Sequence, residues 1–235
     1  MKKFSILIIF SFCVCTFIQA QHTFVLAVGV SRYQNQANNL NQTTKDAKSF
    51  AELMRVHTSN VSIITSRNAN KSNILSKLRK ICNTATQNDR VIFYFSGHGY
   101  NGGICTYDDF ISYRDIVSIF NNCRAKIILT IIDACHAGSV ATTNQNLRLK
   151  NNMAFLMSSR PNEYSTEVIS LGAGIFTNGV LKGLRGKADK NKNKGITIYE
   201  LYEYVHKDVI NHNPEQHPQL IAPKNTYNIQ IVKWK

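Results

Sequence analysis

Apolar residues in this chain gather into short unbroken runs, and the stretches between those runs carry apolar residues at helical spacing. Thr23–Val30 (TFVLAVGV), Val61–Thr65, the first half of Asp89–Tyr100 (DRVIFYFSGHGY), the first half of Lys126–Ser139 (KIILTIIDACHAGS) and Met153–Met157 are runs of this kind. Short apolar runs bounded by turn residues read as strands buried on both faces. Between them, Ala47, Phe50, Ala51 and Met54 recur at i, i+3, i+4 and i+7. Ile74, Leu75, Leu78, Ile81 and Cys82 mark one face of a second helix. Ser112 and Asp115 form a capping-box pair ahead of Ile116, Val117 and Phe120, and a further helix is expected around Phe176–Leu184. Thr197 and Glu200 make the same box ahead of Ile198, Leu201, Val205 and Val209, and Tyr227–Val232 reads as a last strand. Strands alternating with helices predict an α/β fold whose parallel sheet is covered on both faces.

Two stretches depart from this pattern. Val140–Asn152 has little apolar content and no period, and it contains Arg148 and Lys150, so it reads as an exposed, cleavable linker. At the other departure, Lys2 and Lys3 precede an uncharged apolar run, Phe4–Ile18, that ends in Ile18-Gln19-Ala20. A basic start, an apolar middle and a small closing residue predict a secretory signal peptide removed after Ala20. The run falls short of the roughly 20 apolar residues that a membrane span needs. The expected organisation is a signal peptide over 1–20 and one exported domain over 21–235. A larger part of about 21–140, a linker at 140–152 and a smaller part of about 153–235 share one sheet. At 235 residues and 43% hydrophobic, the chain has room for one substantial core.

Cysteine usage and charge narrow the chemistry. Of six cysteines, Cys13 and Cys15 fall in the signal peptide, leaving Cys82, Cys105, Cys123 and Cys135. If one of the four is catalytic, an odd three remain, which predicts no disulfide framework. The absence of a CxxC pair argues against zinc and thioredoxin-type chemistry. Formal net charge is +14, of which Lys2 and Lys3 supply two, leaving +12. Such a surplus attracts anionic partners without selectivity. Its lysines and arginines are scattered, so no specific nucleic-acid interface is predicted.

Candidate chemistry sits at two strand ends. One apolar run stops at Asp133-Ala134-Cys135-His136-Ala137-Gly138, the other at Ser96-Gly97-His98-Gly99. Taken singly, Cys135 reads as a small buried hydrophobe and His98 as a turn residue. Taken together, they repeat one grammar: apolar strand, reactive residue, glycine. Neighbouring parallel strands would set His98 beside Cys135 as base and nucleophile. The amides of Gly99 and Cys135 are the candidate oxyanion donors. Asp133 lies two residues before Cys135, on the same side of an extended strand; its other reading is a cap for the turn behind the nucleophile. Asp46 falls in the first turn of a helix, where spacing alone favours a capping or dipole role.

SGHG (Ser96–Gly99) followed by DACHAG (Asp133–Gly138) resembles the caspase-like cysteine peptidases. The likeness is closer to the metacaspase and bacterial branch than to animal caspases, which carry glutamine where this chain has Asp133. Metacaspases have serine where this chain has Ala137. The resemblance implies a three-layer α/β sandwich. Its mostly parallel sheet has about six strands, helices cover both faces, and the last strand is antiparallel. It implies an endopeptidase in which Cys135 attacks and His98 is the acid–base, with no metal or organic cofactor required. It also implies a pocket for Arg or Lys formed by Asp133 with Asp46, Ser96 and Thr43, the last in place of a cysteine commonly found there. The partner is then a peptide or protein with a basic residue before the cut bond, and the mature chain has no transmembrane segment. A catalytically silent caspase-like module and a basic secreted binding protein are the alternatives, and the intact Cys–His pair counts against the first.

One further motif remains. Asp189, Asn191, Asn193 and Glu200 fall at positions 1, 3, 5 and 12 of a calcium loop, but Lys194 replaces the sharp-turn glycine and Lys190 and Lys192 add positive charge. The Thr197–Glu200 capping box accounts for the same stretch as a loop into a helix.

Overall fold

The computed structural model describes residues 21–140, 149–163, 167–168 and 173–234. The signal-peptide stretch 1–20 and Arg148 of the linker lie outside the described residues. Six strands form the central sheet: β1 (Thr23–Gly29), β2 (Val61–Thr65), β3 (Arg90–Ser96), β4 (Ile127–Asp133), β5 (Met153–Met157) and β6 (Gln219–Ile221). Their order is β6-β5-β4-β3-β1-β2; the first five run parallel, and β6 is antiparallel to β5. Among the described residues, the helices that connect and cover them are α1 (Thr43–Arg55), α2 (Lys71–Thr84), α3 (Tyr113–Asn121), α4 (Ile175–Lys182) and α5 (Ile198–His212).

Period-2 alternation turns each apolar run into two half-cores. Leu26, Val28, Phe93, Phe95, Ile128 and Ile132 point to the face covered by α2 and α3. Val25, Ala27, Ile92, Tyr94, Leu129 and Ile131 point to the face covered by α1, α4 and α5. Each fully buried aliphatic side chain contributes about 1.5–3 kcal/mol, so the three long strands β1, β3 and β4 hold the sandwich together from both sides. Capping fixes where helices begin. Both capping boxes form, Ser112 with Asp115 and Thr197 with Glu200, and Asn70 caps α2 by accepting the Asn73 amide at 2.8 Å.

The antiparallel strand differs from expectation. Tyr227–Val232 was expected to close the sheet, but the sixth strand is Gln219–Ile221. The final strand, Gln230–Lys233, pairs instead with Gly195–Thr197 in a separate two-stranded ribbon. The physical reason is length and burial. Gln219–Ile221 is three half-buried residues, too short to show a period. Ile231 and Val232 bury against the α5 side of the core, which gives their stretch the stronger apolar signal. The stretch after His98 is a three-stranded meander of Gly99–Tyr100, Gly103–Cys105 and Phe110–Ser112.

In the Asp189 loop, the Asp189 carboxylate accepts the amides of Asn193 and Lys194 at 3.1 and 3.0 Å. Asn191 donates to Glu200, whose other oxygen closes the α5 capping box. Lys192 and Lys194 take left-handed φ values of 58° and 61°. No helix among the described residues is long and apolar enough to cross a membrane.

Strand register places the site. Gly29 pairs with Ser96, and Ser96 with Asp133, so these three form one row across β1, β3 and β4 at their carboxyl ends. The row faces α1 and α4. Gly29 lets the first turn of α1 approach, since a Cβ there would sit 2.3 Å from the Thr43 carbonyl oxygen and 2.8 Å from the Ala47 Cβ. Gly29→Ala should therefore force α1 off the sheet and lower stability by about 1–3 kcal/mol, the usual range for overpacking. Urea unfolding measures it; an unchanged midpoint would show that α1 yields freely at this point.

Candidate active site

His98 is presented just beyond the end of β3, and its backbone amide donates to the Tyr33 hydroxyl at 2.8 Å. The two rings pack at 4.9 Å between centroids. The imidazole Nε2 lies 2.9 Å from the Asn38 carbonyl oxygen. A carbonyl can only accept, so Nε2 carries a proton, and Nδ1 of the neutral ring is left as the basic nitrogen. The loop after β1 thus orients the histidine through a main-chain oxygen, for which no side chain in the sequence gives a signal.

Cys135 opens the turn that follows β4, and the backbone around it is clamped from several directions. Ser158, fully buried at the end of β5, both accepts from the Ala134 amide at 3.1 Å and donates to the Ala134 carbonyl at 2.9 Å. One hydroxyl cannot donate and accept along the same line, so these bonds fix Ala134 from two sides. His136 takes a left-handed φ of 54°, a conformation that costs a non-glycine residue about 1–2 kcal/mol. That conformation is held by its amide donating to the Glu163 carbonyl at 2.9 Å and its Nδ1 donating to the Pro161 carbonyl at 2.8 Å. The Glu163 side chain is anchored in turn by the amides of Arg160 and His217 and by the His217 ring. Burial opposes the charged carboxylate of Glu163, but these amides and the histidine outweigh it and hold its pKa below the usual range.

A pocket of about 80 Å3 joins the two strand ends. Its lining brings together Thr43, Asp46, Ser96, His98, Asp133 and Cys135, with Leu40, Gly97, Ala134 and Gly174 completing the wall. All six of the pocket and dyad residues expected from the sequence thus meet in one place. Gly99 lies against the turn that carries Cys135 rather than in the pocket wall. A Cβ on it would come within 2.6 Å of the Cys135 carbonyl oxygen and 2.9 Å of the Ala134 Cβ, so only glycine lets the two segments touch.

The electrostatics of the pocket rest on two buried carboxylates, Asp46 at 2% exposure and Asp133 at 7%. Asp46, in the first turn of α1, accepts from the Ser96 hydroxyl at 3.2 Å. Asp133 accepts from Thr177 twice, from its hydroxyl at 2.7 Å and its amide at 3.2 Å, and so caps the amino end of α4. Thr177 spends its one hydroxyl proton on Asp133, so the contact of 2.6 Å to Tyr94 is a bond the tyrosine donates. Burial first, then the negative charges of Asp46 and Asp133, push the Tyr94 phenol well above its ordinary range, which keeps that donor protonated. Asp133 thus lines the pocket and caps a helix start, that of α4, rather than the turn behind Cys135 that its other sequence reading names. Thr177, Ser158, Tyr33 and the Asn38 carbonyl are the participants the sequence did not reveal.

The family model described as the caspase domain, Peptidase_C14, matches residues 22–229. A crystal structure of a protein from Geobacter sulfurreducens superimposes with a TM-score of 0.70 over 91% of this chain and 99% of that one, at 15% identity. At that identity the likeness speaks for the fold alone. No curated protein matches the sequence.

Ser158 alone accepts the Ala134 amide, while the Ala134 carbonyl also receives the Ser159 hydroxyl at 3.4 Å, so Ser158→Ala should leave a buried amide unsatisfied and cost about 1–3 kcal/mol. Thermal or urea unfolding in a Cys135→Ala background isolates that effect from any self-cleavage. No loss of stability would mean that the turn is held by other contacts.

Proposed function

On the premise that the chain belongs to the caspase-domain family, we propose that it is an exported cysteine endopeptidase cutting after Arg or Lys. The observation that carries this reading is the convergence of Cys135 and His98 with two buried carboxylates, Asp46 and Asp133, in a single pocket. Export rests on the basic, apolar, small-residue order of residues 1–20.

The chemistry draws on this chain's own groups. A Cys135 thiolate attacks the scissile carbonyl carbon, and the thiol proton passes to His98 Nδ1. The resulting oxyanion is taken by the amides of Gly99 and Cys135, worth roughly 3–4 kcal/mol per donor in other enzymes. His98 returns the proton to the leaving amine, the C–N bond breaks, and a thioester remains on Cys135. Water, deprotonated by His98, then attacks the thioester, releasing the new carboxylate and restoring the thiol. The Asn38 carbonyl keeps His98 in the tautomer this cycle needs. No metal or organic cofactor enters the scheme, and the Asp189 loop is assigned a structural rather than a calcium-binding role.

Specificity follows from charge. The residue before the cut enters beside Cys135, where Asp46 and Asp133 meet it. A guanidinium can engage a carboxylate through two parallel bonds, whereas an ammonium acts as a point charge. Arg is therefore favoured over Lys, and Ser96 and Thr43 supply hydroxyls at the pocket wall. The same specificity makes the chain a substrate of itself in the 140–152 linker, after Arg148 or Lys150.

Three measurements test this. Cys135 should be alkylated by an arginyl chloromethyl ketone far faster than by its aspartyl counterpart, and His98→Ala should abolish the difference. Labelling no faster than that of a free thiol would leave the silent-module reading in place. Asp133→Asn should lower kcat/KM on Arg substrates by about 30-fold or more, as removing one partner of a buried charge pair costs about 2 kcal/mol or more. An equal loss on neutral substrates would reduce Asp133 to its capping role. Incubated wild-type protein should nick within the linker while Cys135→Ala stays whole; equal nicking of both would assign the cut to another protease.

A further inference from the structure

Beside the catalytic histidine lies a second and larger cleft, of about 370 Å3. Tyr33 links the two, since its ring packs on His98 and the residue also lines the cleft. Arg32, Gln34 and Asn39 line this cleft from the loop after β1, Arg67 from the turn after β2, and Tyr107 from the meander. These segments are tied to one another through their main chains. The Gln34 amide donates to the Tyr107 carbonyl at 3.1 Å, and the Tyr107 amide to the Ala69 carbonyl at 2.9 Å. The Ser31 and Ser66 hydroxyls meet at 3.1 Å. The cleft is therefore a feature of the folded frame.

Its chemistry is the opposite of the first pocket. Arg32 and Arg67 line it with Gln34, Gln36, Asn39 and two tyrosines, and no acidic residue is among the lining; Arg32 gives one guanidinium nitrogen to the Ser31 carbonyl at 3.3 Å and keeps its other donors. Asn39 uses its carbonyl oxygen on the Tyr33 amide at 3.0 Å, so its remaining groups toward the cleft are donors. The acids next to Tyr107 are engaged elsewhere: Asp108 accepts the Lys71 amide at the start of α2, and Asp109 pairs with the Lys71 ammonium at 2.8 Å. A cleft walled by arginines and amide donors selects a carboxylate.

The direction of the substrate gives that carboxylate an origin. In the peptidase reading, on which this inference rests, the residue before the cut occupies the Asp46–Asp133 pocket, and His98 protonates the departing nitrogen. Residues after the cut therefore leave on the His98 side, past Tyr33 and toward the cleft. We propose that this cleft is a substrate subsite in which Arg32 and Arg67 bind an acidic side chain within about three residues after the scissile bond, a reach of about 10 Å for extended chain. The preferred substrate then carries a basic residue, the cut, and an acidic residue shortly beyond it.

The test uses the purified protein and two internally quenched peptides. They share an Arg before the cut and differ only in carrying Glu or Lys over the three following positions. A third substrate, an arginyl coumarin amide, has no residue after its scissile bond. Wild-type enzyme should cleave the Glu peptide with a kcat/KM about fivefold above the Lys peptide, the upper end for pairs with exposed arginines. That ratio should shrink as salt is raised. Arg67→Glu and Arg32→Glu should flatten or invert it, and Arg67→Gln provides a milder variant if charge reversal disturbs folding. Turnover of the coumarin amide with a Glu-to-Lys ratio near one would overturn the subsite and leave the peptidase reading intact. Variants that slow both peptides equally would overturn it too, by reducing the arginines to a structural role. No turnover of the coumarin amide by wild-type protein would overturn the peptidase reading and the subsite with it.

Discussion

Two carboxylates buried side by side set the terms for everything around them. Each has left water, and each repels the other, so both must be met by donors and by favourable fields. The fold supplies these by aiming two helix starts at one spot: Asp46 lies in the first turn of α1, and Asp133 accepts from the first turn of α4. The positive ends of both helix dipoles favour negative charge there. Such an approach is possible only because glycines stand where the helices meet the site, Gly29 under α1 and Gly174 beside the Asp133 carboxylate. Strand register, helix placement and glycine positions therefore answer one electrostatic demand.

How much of this the sequence disclosed depends on the kind of signal each part emits. Strands β1, β3 and β4 are buried on both faces, and their long apolar runs are read at once; the helices announce themselves through spacing and through the Ser112–Asp115 and Thr197–Glu200 caps. His98, Cys135, Asp133, Asp46, Ser96 and Thr43 were legible through motif resemblance, and the register of parallel strands explains why residues so far apart in the chain converge. What stayed hidden has no local signature. Three residues at Gln219–Ile221 cannot show a period, so the antiparallel strand was assigned to the more apolar Tyr227–Val232 instead. The Asn38 carbonyl is a main-chain atom, identical in every residue type. Ser158 and Thr177 matter through what tertiary packing places beside them, and the Arg32–Arg67 cleft exists only where three separate loops meet.

Charge in this molecule is organised by distance. The chain as a whole is strongly basic, so at long range it does not attract a basic peptide. The acidic pocket acts only at contact, where water is excluded and two carboxylates outweigh the dispersed field. In the proposed peptidase, recognition of a basic side chain would be a matter of short-range desolvated pairing, and a partner drawn in from afar would be better served by carrying negative charge elsewhere along its length.

The strands flanking the linker are neighbours in the sheet, with Ile128 through Ile132 of β4 in parallel register beside Met153 through Met157 of β5. A cut between them would leave this contact whole while changing its nature from an internal pairing to an interface between two polypeptides. Before the cut, the two halves are leashed, and their effective concentration is fixed by the connecting loop. Afterwards, any event that unfolds the molecule also lets the halves diffuse apart, and recovery becomes a second-order encounter that dilution defeats. The hydrogen-bonded seam between β4 and β5 thus gives the cut form a memory: it keeps its shape for as long as it never loses it.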